Sequence, residues 1–372
     1  MIGLISDTHI GMKSNNEVML KCSSILVGEI IKQCKKRNVT KLFHLGDFFD
    51  DRQSINVKSS DVGQHFIEAL EKEKIEFVIV GGNHDFYYKK SKKISSLNIF
   101  KRYNVEVVKN PKVIEVEGNK ILLCPWLSTV EEYEAFQELV YKEGSKYICL
   151  GHFEIKGYLN NDFHRSYSGI DPEVMRKFRR VYSGHFHKRQ TKDNITYIGS
   201  TFQKDHGETT QEKGITFLNL DDLSEEFYEF QNVPKHHTIV CDIELLKSPT
   251  KVLNERYSDI ISGNFIRLNI IGIHDSDMVT RVEMEIINRN ALEVKRNLCV
   301  SNNGENWTGD SCPEDNIELL ELGDPMKLHT KYVTRPEFID KWKELYGIKI
   351  PVLLKIIGDL YKDVYSLRGE EI

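Results

Sequence analysis

Over the first 232 residues, short unbroken apolar runs alternate with amphipathic stretches, and several of the runs stop at a glycine or an acid. Residues 2–6, IGLIS, form the first run and predict a buried strand. Val18, Cys22, Ile25, Leu26, Ile30 and Cys34 follow at helical spacing, which predicts an amphipathic helix over 17–37. The next apolar run lies at 41–45, KLFHL, and strand–helix–strand order implies a right-handed parallel crossover. Ser60 is a candidate cap for a helix with Val62, Phe66 and Leu70 on its inner face. Residues 75–80 predict a third buried strand, and a helix is expected near 94–102. Residues 105–108, 112–117 and 120–124 read as strands, with turns at Asn110-Pro111 and Gly118-Asn119. Segment 130–142 is charged and helical, and 146–150 and 179–183 are further strands. Residues 195–199, 214–220 and 226–230 look like successive antiparallel strands.

This order predicts a layered α/β domain over 1–232, parallel first and then antiparallel. The pattern restarts near Pro234 with alternating strands and helices, so residues 233–315 are expected to form a small second α/β domain. That domain ends in the polar, Gly- and Asn-rich linker 301–315. Residues 316–372 are expected to be helical. Pro336 suits a first helical turn, Phe338, Trp342, Leu345 and Tyr346 form one stripe, and Gly347 can end the helix. Pro351 opens a second helix carrying Leu354, Ile357, Tyr361 and Tyr365, so the chain closes on a helix-loop-helix.

The 372 residues allow two or three domains with ample core. A charged fraction of 29% and a hydrophobic fraction of 40% are those of an ordinary soluble chain. The formal charge of −5 excludes global basic character, so any polyanion must be bound locally. No run is long enough to span a bilayer, and the apolar start MIGLISDTHIG is too short and lacks the basic leader of a signal peptide. The seven cysteines include no CxxC pair, and Cys22, Cys34, Cys124 and Cys149 fall in apolar patterns. Buried free thiols of this kind fit a reducing cytosol, so a cytoplasmic location is expected.

Five expected strand ends carry residues that bind metals. They are Asp7 with His9, Asp47, Asn83 followed by His84 and Asp85, His152, and His185 with His187. Carboxyl ends of strands are where open α/β sheets bind ligands. Oxygen and imidazole donors without cysteine suit manganese, iron or zinc. The number of donors suits two ions: Asp7, His9, Asp47 and His187 for one, and Asp47, Asn83, His152 and His185 for the other. Asp47 serves twice because a carboxylate can bridge ions about 3.5–4 Å apart. Such a pair suits hydrolysis of a phosphate ester, because it activates water and neutralises charge on the phosphoryl oxygens. His84 remains as a group to contact the phosphate and protonate the leaving oxygen, with Asp85 expected to orient its imidazole. His44 is expected to be a buried sheet histidine.

The ordered set DTH (7–9), GD (46–47), GNHD (82–85), GH (151–152) and GHFH (184–187) resembles the calcineurin-like metallophosphoesterase superfamily. SDTHIG at 6–11, GDFFD at 46–50, Tyr87-Tyr88, GHFE at 151–154 and SGHFH at 183–187 followed by YIGS at 197–200 resemble its double-strand-break-repair nuclease branch. That branch includes bacterial SbcD and the recombination endonuclease subunits of tailed phages. The resemblance implies two helix-flanked sheets in a sandwich, a small capping domain and a homodimer. It implies manganese-dependent exonuclease and endonuclease activity on DNA in recombination, repair and replication. It also implies an SMC-like, SbcC-type ATPase partner, docked on the C-terminal helices. The alternative within the superfamily is a phosphomonoesterase or protein phosphatase. Those resemble GDxxDRG with GNHE, whereas Gln53 and Asp85 stand at the differing positions here.

A nuclease needs cationic contacts to the phosphate backbone. Lys89, Lys90, Lys92 and Lys93 follow one ligand loop, and Lys188 and Arg189 follow another, which makes them the candidate DNA contacts. Tyr87 and Tyr88 are candidates for stacking on an unpaired base.

Overall fold

The computed structural model of the chain describes residues 1–160, 164–271 and 276–299. The linker 301–315 and the C-terminal helix pair read from the sequence lie outside the described residues. Met1–Leu298 make up one compact unit. Among the described residues, no helix is long and apolar enough to cross a membrane.

In chain order the strands are β1 (Ile2–Ile5), β2 (Lys41–His44), β3 (Glu76–Val80), β4 (Phe86–Tyr88), β5 (Ser91–Ser95) and β6 (Val105–Val108). Next come β7 (Lys112–Val116), β8 (Asn119–Cys124), β9 (Ile148–His152), β10 (Arg180–Gly184), β11 (Gln190–Lys192) and β12 (Ile195–Tyr197). They are followed by β13 (Gly214–Leu218), β14 (Glu225–Glu229), β15 (His236–Cys241), β16 (Phe265–Ile271) and β17 (Glu293–Cys299). One six-stranded sheet runs β14-β13-β1-β2-β3-β6 and a second runs β11-β12-β10-β9-β8-β7. In the first sheet β1, β2, β3 and β6 are parallel and β13 and β14 add an antiparallel edge on one side, whereas in the second β8, β9, β10 and β12 are parallel and both edge strands, β7 and β11, are antiparallel.

The alternation of side chains along each strand builds the layers. Leu4, Phe43, Val78 and Val80 from the first sheet meet Ile121, Leu123, Ile148, Leu150 and Tyr182 from the second in a core between the sheets. Ile5, Leu42, Phe77 and Ile79 point the other way, against the helices Glu17–Lys36 and Val57–Lys72. The outer face of the second sheet packs against helix Val130–Glu143 through Phe136 and Val140. Being covered on both sides is why the central strands read as unbroken apolar runs. The chain is thus a two-sheet sandwich flanked by helices.

Three local expectations are corrected. The helix expected to begin at Ser60 begins at Val57, because the Asn56 side chain accepts the Lys58 N–H at 2.9 Å and caps it earlier. The helix expected near 94–102 is the hairpin β4–β5 followed by the 3-10 turn Ser96–Phe100. Leu97 and Phe100 are both buried and lie three apart, the repeat of a 3-10 turn. Strands β12, β13 and β14 are not a meander. β12 pairs parallel with β10 in the second sheet, and the chain then changes sheets so that β13 lies antiparallel to β1.

Strands β15–β17 form a three-stranded sheet with its own core, including Ile239, Leu245, Leu253, Leu268 and Val282. Phe265 links it to the larger layers, with Phe202 at 6.5 Å and the His236 ring stacked at 4.5 Å. Cys22, Cys34, Cys124, Cys149 and Cys241 are buried free thiols.

Candidate metal centre

The loops leaving β1, β2, β3, β9 and β10 meet at one end of the two sheets. The β1 and β2 loops are zipped together beyond the strands, with Asp7 N–H on Gly46 O at 3.0 Å, His9 N–H on Asp47 O at 3.1 Å and Ile10 N–H on Phe48 O at 2.9 Å. This forces Asp7, His9 and Asp47 into the left-handed region, with φ of 52°, 43° and 58°, and His185 follows with φ of 92°. Non-glycine residues hold such angles only where surrounding bonds over-determine them. Here His185 N–H donates to both Asp7 oxygens, at 3.2 and 3.1 Å, and His84 N–H donates to Asp47 Oδ1 at 2.8 Å. Gly46 (φ 97°) and Gly82 have no room for a side chain, since a Cβ would run into the His152 ring or the Asp47 carboxylate.

The sequence-predicted residues come together. Asp7, His9 and His187 direct ligand atoms into one space, and Asp47, His152 and His185 into another. Asp47 Oδ2 lies between them, 3.8 Å from His9 Nε2 and 3.4 Å from His152 Nε2. Asn83 Oδ1 is 3.0 Å from both His152 Nε2 and His185 Nδ1. His9 Nε2 faces His187 Nε2 at 3.1 Å.

These donors fit cations. His152 Nδ1 donates to Leu45 O at 2.7 Å, and His187 Nδ1 donates to Glu208 Oε1 at 2.8 Å, so each ring turns its Nε2 lone pair inward. Burial pushes His9 down, and pushes His185 down to about 3, which leaves both neutral and able to ligate. Burial also acts against a charge on His152, yet the adjacent Asp47 carboxylate holds its ring up at about 9, so a proton on Nε2 takes the position that a cation would take in its place. Lone pairs and carboxylates converging on one space are what a positive ion would satisfy.

Two positions differ from expectation. Asp85 does not orient His84. Its buried carboxylate accepts the backbone N–H groups of Asp47 (2.9 Å), Phe48 (3.1 Å) and Gly82 (2.8 Å), and so fixes the shape of both ligand loops. His84 instead donates from Nδ1 to the Asp50 carbonyl at 2.6 Å, with its ring edge-on to His9. His44 is buried, with Nε2 2.9 Å from the Thr8 hydroxyl, and burial pushes it down to about 3.

Three participants escape sequence reasoning. The Asp50 carboxylate lies 3.1 Å from His9 Nδ1 and 3.3 Å from Lys204 Nζ. It belongs to the GDFFD run but has no motif role of its own. Glu208, behind His187, pairs with buried Lys213 at 2.9 Å. Against its burial, the His187 hydrogen bond and the Lys213 charge hold its carboxyl well below the usual range. Trp126 lies 5.0 Å from the His185 ring. Nothing in the local sequence marks either of the last two.

The candidate DNA contacts divide. Lys89, Lys90 and Lys93 are exposed, and Lys89 and Lys90 line a groove that reaches Asn83. Lys92 turns inward to Glu132 at 2.9 Å, because β5 pairs back on β4 and alternates its side chains. Lys188 is half-buried. Arg189 lies over the Phe227 ring and bonds Thr216 Oγ1 at 2.8 Å and Glu225 at 3.3 Å, so it braces the first sheet rather than the rim. Tyr87 and Tyr88 are exposed.

The calcineurin-like phosphoesterase family matches residues 1–189, a span that contains every predicted ligand. The chain is similar to exonuclease subunit 1 of Enterobacteria phage T4, at 27% identity over 225 residues, or 60% of this chain. That match spans 66% of the phage protein, just short of two thirds of its length. It is similar to the SbcD component of nuclease SbcCD from Staphylococcus epidermidis, at 23% identity over 286 residues, or 67% of this chain and 75% of the relative. Among solved structures, a dimetal phosphatase from Danio rerio covers 62% of this chain and 98% of its own at 13% identity, with a TM-score of 0.40.

Proposed function

The chain belongs to the calcineurin-like phosphoesterase family, and from that premise we propose that it is a metal-dependent DNA nuclease subunit that hydrolyses phosphodiester bonds. The observation that carries this reading is the convergence of Asp7, His9, Asp47, Asn83, His152, His185 and His187, with His84 beside them. The names of the relatives, an exonuclease subunit and a nuclease subunit, support DNA as substrate and a partner subunit. Manganese, an SMC-like ATPase partner docked on the C-terminal helices, a homodimer and a capping role for residues 233–315 belong to the same proposal.

Asp7, His9, His187 and Asp47 would hold one cation, and Asp47, Asn83, His152 and His185 the other. When bound, such ions supply an activated water near neutral pH and offset the negative charge that grows on the phosphoryl oxygens. The protein's own work is to position and to move a proton. Asp85 holds the two ligand loops in register. The Asp50 carbonyl takes His84 Nδ1–H and thereby leaves Nε2 to face the phosphate. With Nε2 protonated, His84 donates to a phosphoryl oxygen and then delivers that proton to the leaving oxygen.

The test is cleavage of end-labelled linear duplex DNA by the purified chain with manganese, beside a small phosphomonoester. The expected result is DNA cleavage that requires manganese and falls by about 10²–10⁴-fold in His84→Ala. Intact DNA beside brisk monoester turnover would replace the nuclease with a phosphatase.

A further inference from the structure

Hydrolysis alone does not account for the groove beside the ion-binding residues. It has a volume of about 410 Å3 and opens from Asn83 between Tyr88 and Trp126, with Arg52, Lys89 and Lys90 among its lining residues. Such a volume is within the roughly 300–1,000 Å3 typical of sites for small organic ligands. The Trp126 backbone N–H donates to Gly81 O at 2.9 Å, which fixes the residue at the shoulder of the GGNHD loop. Its half-buried indole leans over the His185 ring at 5.0 Å and lies 6.1 Å from His152. Tyr88 is 50% exposed, and Tyr87 braces it edge-on at 4.8 Å. Among the described residues, Arg52, Lys89 and Lys90 make no ion pair. The carboxylate in the lining, Glu154, is occupied by the Ser166 hydroxyl at 2.8 Å and by the Ser168 hydroxyl.

Exposed aromatic faces, unpaired cations and a phosphate-hydrolysing centre at one end match the parts of a single unpaired nucleotide. Its base has a flat π face to stack, and its backbone carries charge for the cations. A base within a duplex has both faces covered by its neighbours and offers nothing to the indole. We propose that this groove holds the unpaired base next to the scissile phosphate, and that Trp126 thereby makes the enzyme select frayed or single-stranded DNA ends. The inference rests on the nuclease reading above and names the form of DNA that site takes.

The test uses the full chain with manganese and two end-labelled oligothymidylates, identical except that one lacks the bases of its terminal nucleotides. In the wild type, removing the bases lowers kcat/KM by about tenfold or more, as expected for a stacked base. In Trp126→Leu the ratio between the two substrates falls to near one, whereas in Trp126→Phe, which keeps an aromatic face, it persists. A readout that needs no variant is quenching of indole emission in the metal-free protein, expected with the intact strand and not with the abasic one. Equal quenching by both strands, an unchanged ratio in Trp126→Leu, or a wild type indifferent to the missing bases overturns the inference and leaves the nuclease reading standing. A wild type that cuts neither oligonucleotide nor duplex DNA overturns the nuclease reading itself, and this inference with it.

Discussion

His187 shows how a single side chain behind the site sets a ligand's chemistry. Its Nδ1 donates to Glu208, whose other oxygen pairs with Lys213, and Lys213 in turn bonds His187 O and the Ser200 hydroxyl. Glu208→Gln keeps the shape but removes the charge that makes the imidazole a strong donor. Manganese affinity is expected to weaken about 10- to 100-fold, read by calorimetric titration, and an affinity within twofold of wild type would end this role. Asp85 makes the opposite kind of prediction. Its two oxygens accept three backbone N–H groups, so Asp85→Asn turns an amide N–H₂ toward a donor. A loss of about 1–3 kcal/mol in urea unfolding is expected; unchanged stability with reduced cleavage would instead restore the role in orienting His84. The two kinds of residue differ in what made them legible. Asp7, His9, Asp47, Asn83, His152, His185 and His187 each sit in a short motif at a strand end. The job of Asp85 depends on which N–H groups fold around it, and that is a property of two loops at once.

At the scale of elements, β1, β2, β3, β9 and β10 were legible because burial on both faces makes a parallel strand a continuous apolar run. The change of sheet between β12 and β13 was not, since alternating side chains suit either sheet and only non-local pairing decides. The 3-10 turn His206–Glu208 is a similar case, and it ties the site to the β15–β17 sheet. His206 meets His236 edge-on at 4.7 Å, and His236 stacks on Phe265. Burial pushes His236 down to about 3 and His206 down to about 4, with Lys13 and Lys295 opposing a charge on either and Glu208 favouring one on His236. In the unfolded chain both titrate near the ordinary value of about 6.5. Below that pH the unfolded state binds protons that the folded state refuses, so stability falls as pH drops from about 6.5 toward 4. The slope approaches about 1.4 kcal/mol per pH unit for each such histidine. His236→Phe retains the stack on Phe265 without a titrating ring. Urea midpoints measured across this range are expected to show a slope shallower by about one proton, and an unaltered slope would refute the assignment.

For the molecule as a whole, the ligands are divided between the two sheets. Asp7, His9, Asp47 and Asn83 follow strands of the first, and His152, His185 and His187 belong to the second. Behind them the sheets are held by the apolar core of Leu4, Phe43, Val80, Leu123 and Leu150. At the ligand end, carboxylates and inward-facing lone pairs replace that apolar contact, and the bonds from His185 N–H to Asp7 and from His152 Nδ1 to Leu45 O are the cross-sheet links that bound cations would reinforce. Cation binding is therefore expected to join the sheets and to be coupled to global unfolding rather than to a local loop. An ion bound only to the native state at about 100 times its Kd adds roughly 2.7 kcal/mol. Manganese should raise the midpoint of thermal unfolding by several degrees, and a chelator should return it. Asp47 lies between the two groups of donors, with Oδ2 reaching toward both His9 and His152. Asp47→Asn should therefore lose most of the manganese-dependent rise, whereas His152→Ala, which touches one group of donors, should keep a part of it. If Asp47→Asn retained the full rise, the two ions would not share that carboxylate, and the site would have to be read as two independent cation sites, each still drawing donors from both sheets.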